Sequence, residues 1–403
     1  MMRRVAITGI GAVSSIGADS AEHLASFRAG RVGIKPRIAT PGDGLRVKML
    51  SRVDDFDPAA HFDRRQLNFL DRSSQFALVA AREAIAQTGG LLEAMAPERV
   101  GVQFSATVGY HSIEDVYVAA SSSPPARPHP FTVPRGMASS AASQISMALK
   151  IRGPSFGVAS ACSSATHAMG LAFQMIRGGV IDAAVTGGCE APFTNGLISS
   201  WEALRVLSVD TCRPFSAGRS GLVLGEGAGA LVLEEMEHAK ARGAKIFAEI
   251  VGFGMNADAA DMTAPNVQNA AQAISAALAD AGLDAAEIDY VSAHGTGTLL
   301  NDKSEAAALK HVFGARLRDV PVSSTKSMHG HCLSASGALG MVATTLALRE
   351  GLVPPTMNFT EADPDCDLDC VPNQARQKAL GAALCNSFAF GGLNAVLAVK
   401  AAA

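Results

Sequence analysis

Short apolar runs alternate along the whole chain with longer segments in which small and apolar residues recur at helical spacing. The runs too short for a helix, bounded by glycine or polar residues, predict strands at Val5–Thr8, Gly101–Phe104, Ala183–Thr186, Ala230–Leu233, Tyr290–Ala293 and Ala395–Val399. Helical periodicity predicts helices over Arg72–Gln87, Ser163–Ile176, Val267–Ala281, Ser304–Phe313 and Ala335–Arg349. Ala119–Pro134, rich in serine and proline, predicts a loop. Strands alternating with helices indicate an α/β protein rather than a sandwich. There is also a faint internal repeat. A glycine-rich turn runs into an apolar strand twice, at Gly225–Leu233 and Gly391–Val399, and a strand and tight turn open onto a small-residue helix around Cys162 and again around His331. The repeat predicts a duplicated core, with halves at residues 1–252 and 253–403.

With 403 residues, 48% of them hydrophobic and 18% charged, the chain can bury a large core as one big unit or two fused halves. A net charge of −3 gives no global attraction to nucleic acid or to an anionic membrane, so any electrostatic partner must meet a local patch. No apolar stretch approaches a membrane span, and the N-terminal MMRRVAITGIGAVSS has no continuous apolar signal region. The seven cysteines are odd in number, widely spread and without a C-x-x-C pair, which argues against a disulfide framework. The expectation is a reduced, cytoplasmic protein. Cys366 and Cys370 are spaced wrongly for the commonest zinc knuckle and lack a second pair, so no metal site is expected there.

Four segments could carry chemistry. In Gly157-Val-Ala-Ser-Ala-Cys162-Ser-Ser-Ala165 a strand runs into a helix with a cysteine at the junction. Helix N-terminal amides there would lower the thiol pKa and offer an oxyanion site, although the position also suits a buried structural cysteine. In His294-Gly-Thr296-Gly-Thr298 a glycine turn can present an imidazole and two hydroxyls to one cavity; Asp302 and Glu305 follow, and could equally form a helix capping box. Ser323-Ser-Thr-Lys326-Ser-Met-His329-Gly-His331 places a lysine ahead of two histidines. Its Ser323-x-x-Lys326 matches the serine–lysine pattern of penicillin-interacting hydrolases, but the companion S-D-N and K-T-G motifs are absent. His329-x-His331 has no evident third ligand for a metal. Asn386-Ser-Phe-Ala-Phe390-Gly-Gly392 is a glycine-ended turn with two phenylalanines, either a strand-entry turn with core aromatics or a backbone N–H beside a bulky gate. Thr8-Gly9-Ile10-Gly11 suggests dinucleotide binding only superficially, because Ser14 stands where the third glycine belongs.

Together and in this order, the four segments resemble the elongating β-ketoacyl carrier-protein synthases, over essentially the whole chain. The resemblance implies a thiolase-like fold of two repeated α/β halves in five α-β-α-β-α layers. It makes Cys162 the acyl-accepting nucleophile and His294 and His331 the two catalytic histidines, supported by Lys326 with Asp302 and Glu305 as its acidic partners. Thr296 and Thr298 would hold the phosphopantetheine arm. Phe390 would be the gating residue whose backbone N–H joins that of Cys162 in the oxyanion hole. The reaction implied is decarboxylative condensation of an acyl thioester on Cys162 with malonyl-carrier protein. It needs no metal or redox cofactor, since phosphopantetheine arrives with the acyl carrier protein. The expected assembly is a homodimer, or a heterodimer with a related subunit. Two other readings stay open: a non-catalytic chain-length partner, and a thiolase acting on coenzyme A thioesters.

Within the family, SWEALRVL at 200–207, DTCRPFS at 210–216 and SSTKSMH at 323–329 are most similar to the nodulation protein E type, with polyene and polyketide enzymes nearby. Gly340 stands where a glutamate is usual, Ala389 replaces a glycine beside the gate and should stiffen it, and Asp261 replaces a histidine. By the same alignment Thr107 and Trp201 fall along the acyl tunnel and should set chain length, Trp201 near its floor. Arg64 and Arg65 match the carrier-protein docking region.

Overall fold

The structure is a computed structural model that describes residues 2–39 and 44–402. Ten strands form one sheet: β1 Val5–Ser14, β2 Val100–Ser105, β3 Ser155–Val158, β4 Ala183–Glu190, β5 Gly227–Glu235, β6 Ala248–Ala257, β7 Tyr290–Ser292, β8 Val322–Ser323, β9 Ala382–Ala389 and β10 Leu393–Ala401. Their order is β8-β7-β9-β10-β6-β1-β5-β4-β2-β3. Each half repeats one topology. The first strand lies antiparallel to the fifth, the fifth antiparallel to the fourth, and the fourth, second and third run parallel. The halves are joined where Val5, Ala6 and Ile7 of β1 pair with Ile250, Glu249 and Ala248 of β6. Position 252, where the internal repeat divides the sequence, therefore lies inside the first strand of the second half.

Six of the helices build the layers: α1 Arg72–Ala86, α2 Ser140–Leu149, α3 Ser164–Arg177, α4 Val267–Ala281, α5 Leu299–Phe313 and α6 Ser336–Glu350. The first two cover the outer face of the N-terminal strands, and α4 covers the outer face of the C-terminal strands with α5 packed beside it. Between the two sets of strands lie α3 and α6, each touching both, which completes an α-β-α-β-α stack. Strands covered on both faces need no polar side, which is why β1, β4 and β5 read as nearly unbroken apolar and small runs. The central helices approach through small residues. A Cβ on Gly337 of α6 would lie 2.2 Å from Thr166 Oγ1 of α3, and one on Gly170 would strike the Phe253 ring at 2.4 Å.

The Gly9 and Gly11 pair that mimics a nucleotide motif has a packing role. A Cβ at either position would sit 2.0 Å from a backbone carbonyl of α1, at Ala84 and Ala80 respectively, so β1 and α1 are in contact main chain to main chain. Helix α5 begins ahead of the expected Ser304 because Thr298 caps it, accepting from the Asn301 amide. The expected loop Ala119–Pro134 is entered from both sides by helices, Tyr110–Ser121 and Thr132–Gly136.

Candidate active site

Cys162 sits in a tight turn between β3 and α3. Ala161 just before it has φ 50°, a left-handed conformation that alanine adopts at a cost of about 1 kcal/mol. Hydroxyls hold the turn in place. Ser164 Oγ accepts from the Ser160 amide at 2.7 Å and donates to the Ala161 carbonyl at 2.6 Å, and Ser163 Oγ donates to the Ser160 carbonyl at 2.8 Å. The turn leaves Cys162 only 8% exposed. The lowered thiol pKa expected from the helix terminus is not found: burial raises it to about 11, while Lys326 and the backbone amides of Phe390 and of Cys162 itself draw it back down. Those two amides are the pair expected of an oxyanion hole.

His294 follows β7 at the point where the chain turns through Gly295 and Gly297, both at positive φ. Buried Glu305 clasps that turn, its two oxygens accepting from the His294 and Gly295 amides at 2.8 and 2.7 Å, with Asn386 Nδ2 at 3.2 Å. Lys326 Nζ donates to the His294 carbonyl at 2.5 Å. Burial lowers the lysine's pKa, and Glu305 is the largest influence restoring it. Asp302 is not a partner of Lys326. It accepts from the Phe215 and Gly297 amides at 2.9 and 3.2 Å and lies 3.8 Å from Arg219. Nor does Asp302 cap a helix, since it lies within α5, which Thr298 already caps.

His331 precedes α6 as Cys162 precedes α3. The Leu333 amide donates to its Nδ1 at 3.1 Å, and Ser336 Oγ lies 2.8 Å from the same atom. A neutral His331 therefore carries its proton on Nε2. Burial, reinforced by Lys326, holds both His294 and His331 well below the usual imidazole range, so both are neutral at pH 7. Their ring centroids are 5.5 Å apart and nearly perpendicular, and the buried Nδ1 of His294 has no hydrogen-bond partner among the described residues. His329 does not join them; its ring nitrogens are taken by the Gly330 carbonyl and Thr325 Oγ1, both at 2.9 Å.

Cys162, His294, His331, Thr296, Thr298 and Phe390 line one cavity of about 580 Å³. The two threonine hydroxyls are 2.9 Å apart. At the Phe390 turn the left-handed positions fall on Gly391 (φ 82°) and Gly392 (φ 66°), whereas Ala389 ends β9 in ordinary backbone and strains nothing. Asp261 accepts from the Thr263 and Ala264 amides, holding a loop whose Met262 carbonyl accepts from the Gly391 amide at 2.7 Å. A Cβ on Gly340 would lie 3.3 Å from Cys385 Sγ and 3.6 Å from Ser292 Oγ.

Trp201 is on the wall of this cavity with its indole stacked on the Phe390 ring, centroids 6.1 Å apart and planes at 22°. Thr107 does not line the cavity. Its hydroxyl donates to Glu190 Oε2 at 2.7 Å. Arg64 and Arg65 are exposed on a short helix, Arg64–Leu67, away from the cavity lining; Arg65 borders a separate hollow of about 410 Å³ with Phe69 and Met147. Sequence reasoning missed three residues. Arg205 is the exposed cation on the cavity wall. Ser336 sits on His331. Glu190 is a buried carboxyl pushed up to about 7 by desolvation, with Oε1 unpartnered among the described residues. An acid ending the small-residue run Thr-Gly-Gly-Cys-Glu is the signal that could have marked Glu190.

Residues 2–239 match the Beta-ketoacyl synthase, N-terminal domain, and residues 247–360 match the Beta-ketoacyl synthase, C-terminal domain. The chain belongs to the β-ketoacyl synthase family. It is a condensing acyltransferase with a thiolase-like fold. This ketosynthase is 47% identical to Nodulation protein E of Rhizobium sp. (strain N33), covering 99% of this chain and 100% of that one. It is 38% identical to 3-oxoacyl-[acyl-carrier-protein] synthase 2 of Staphylococcus aureus (strain COL), over 99% and 98% of the two chains. Among solved structures, the ishigamide ketosynthase/chain length factor superposes with a TM-score of 0.95 at 36% identity over the whole of both chains. No helix among the described residues is long and apolar enough to cross a membrane.

Proposed function

We propose that this ketosynthase carries an acyl group on Cys162 and condenses it with malonyl-carrier protein in a specialised fatty acid, polyene or polyketide pathway. The observation that carries the reading is the convergence of a turn-held thiol, two backbone amides and two neutral imidazoles on one cavity. Because the resting thiol is protonated, its proton passes to an imidazole as sulfur attacks the acyl thioester, and the carrier thiol leaves with a proton. The Cys162 and Phe390 amides hold the tetrahedral oxyanion. A malonyl thioester then binds with its arm along Thr296 and Thr298. The N–H groups of His294 and His331 stabilise the enolate as carbon dioxide leaves. The enolate carbon attacks the acyl-Cys162 carbonyl, releasing the sulfur and a β-ketoacyl thioester two carbons longer.

Lys326 and Glu305 act by fixing the His294 backbone, and Asp302 acts by fixing the Gly297 turn. The acyl carrier protein, and a second ketosynthase or chain-length subunit, are the partners proposed, as the solved relatives' own complexes suggest. A non-catalytic partner subunit would have no need of this convergence. Intact mass spectrometry after incubation with acyl-carrier proteins tests the reading: an acyl adduct on the wild type and none on Cys162→Ala is expected. His294→Ala and His331→Ala should keep the adduct but lose on the order of 10²-fold in malonyl decarboxylation. An adduct on Cys162→Ala, or equal loss of both steps in the histidine variants, would refute it.

A further inference from the structure

Lys326 and His331 lie on one turn of the chain, and between them stands His329, which does not line the cavity. The turn is the short helix Lys326–His329, closed by Gly330 at φ 69°. It is tightly wedged, since a Cβ on Gly330 would lie 2.8 Å from Ser51 Cβ and 3.0 Å from the Val223 carbonyl. One end is tied to the first imidazole, Lys326 Nζ donating to the His294 carbonyl at 2.5 Å. The other end carries the second, His331. His329 is 1% exposed and spans the two. Its Nδ1 lies 2.9 Å from the Gly330 carbonyl, which can only accept, so the ring proton is on Nδ1. Its Nε2 is then an acceptor, and Thr325 Oγ1 donates to it at 2.9 Å. Burial keeps the ring neutral, the form in which one nitrogen donates while the other accepts. The Gly330 carbonyl belongs to the same peptide unit as the His331 N–H, and Thr325 directly precedes Lys326. A continuous set of links therefore runs from the His294 carbonyl through Lys326 and Thr325, across the His329 ring, to the peptide of His331.

We propose that His329 is a positioning residue that fixes His331 relative to His294, so that both imidazole N–H groups meet one enolate oxygen. The inference rests on the reading of His331 as an enolate-stabilising group. An imidazole suits the task because its donor and acceptor stand at opposite ends of one rigid ring. With an apolar side chain there, the Gly330 carbonyl loses this donor inside the protein and the His331 peptide can tilt. The two chemical steps differ in how much they feel the tilt. Acylation of Cys162 draws on the two backbone amides and one imidazole as base, whereas decarboxylation needs both imidazoles aimed at a single atom.

The test compares full-length wild type with His329→Leu, His329→Asn and Thr325→Val. Acylation is followed by intact mass, and decarboxylation by release of labelled carbon dioxide from malonyl-carrier protein. In His329→Leu the decarboxylation kcat should fall about tenfold, with KM and the acylation rate within about twofold of wild type. His329→Asn, which keeps an amide donor near the Gly330 carbonyl, should recover to within about threefold. Thr325→Val, which loosens only the anchored end, should lose about threefold and tests the link even where His329→Leu does not fold. Added to His331→Ala, His329→Leu should cost less than about twofold more, because the group it positions is gone. Equal loss of acylation and decarboxylation, or a full tenfold loss in the His331→Ala background, overturns the proposal. A His331→Ala enzyme that decarboxylates malonyl-carrier protein at the wild-type rate overturns instead the reading of His331 beneath it.

Discussion

Alkylation of Cys162 by iodoacetamide should climb with pH without levelling off in the neutral range. The thiolate is the reacting species, and burial places its pKa at about 11. Each pH unit below the pKa costs a factor of ten, so about one molecule in 10⁴ is ionised at pH 7 and about one in ten at pH 10. The rate should therefore rise on the order of a thousandfold across that interval. A cysteine at the ordinary pKa of about 8.5 would gain only about thirtyfold and flatten above pH 9. The assay is quenched labelling followed by peptide mass spectrometry of the Cys162 peptide. It is selective because the other cysteines are all buried and none of them lines the cavity. Lys326→Met should push the curve further up the pH scale, since the ammonium is the largest influence drawing the thiol down. A plateau already reached below about pH 8 would refute the argument, and would mean that the helix terminus outweighs burial.

The remaining predictions concern packing, docking and acid stability. Gly11→Ala should destabilise the fold by about 3 kcal/mol, because the new Cβ meets a backbone carbonyl of α1 that cannot rotate away, whereas Gly340→Ala, meeting only side chains at 3.3 Å and beyond, should be close to neutral; urea melts of the two compare them directly. Arg64→Glu with Arg65→Glu should raise KM for carrier-bound substrates and leave a pantetheine thioester unaffected, and an unchanged KM would remove that patch from the interface. His329 is held down to about 3 by burial, so as pH falls below about 6.5 the unfolded chain takes up a proton that the folded chain refuses, and stability is lost. Between about pH 6 and 4 the wild type should lose about 1.4 kcal/mol per pH unit more than His329→Gln, and parallel curves would contradict this.

The legible parts of the sequence were those where one physical signal dominated. Val267–Ala281 was read to the residue because its small-residue helical period runs unbroken from the Asn266 cap to the left-handed Gly282. The six expected strands all exist, since apolar runs buried on both faces leave no ambiguity. The strand leading to Cys162 was read only from Gly157, because Ser-Phe-Gly-Val is short, half exposed and without alternation, while β6, β8 and β9 were missed, β9 because Asn386-Ser-Phe reads as the approach to a glycine turn. In the site, the local motifs named Cys162, His294 and His331. What they could not supply was the balance of opposing effects on the thiol, where burial exceeds the pull of Lys326 and two amides. Nor could they tell that Asp302 faces Arg219 while Glu305 faces the lysine, because both assignments depend on chain segments far away in sequence. Trp201 and Phe390 were each legible as site residues, but the stacking of one on the other was not, since nothing local links the two.

The turn that supplies the Phe390 amide joins the last two strands, and β10 is an interior strand inserted between β9 and β6. During synthesis Cys162 leaves the ribosome long before that turn exists. A nascent chain can build the cysteine elbow and even α3, yet it has neither the second amide over the sulfur nor the strand that locks the C-terminal half together. The two-amide site at the sulfur is thus complete only once the Phe390 turn has formed and β10 has paired with β9 and β6.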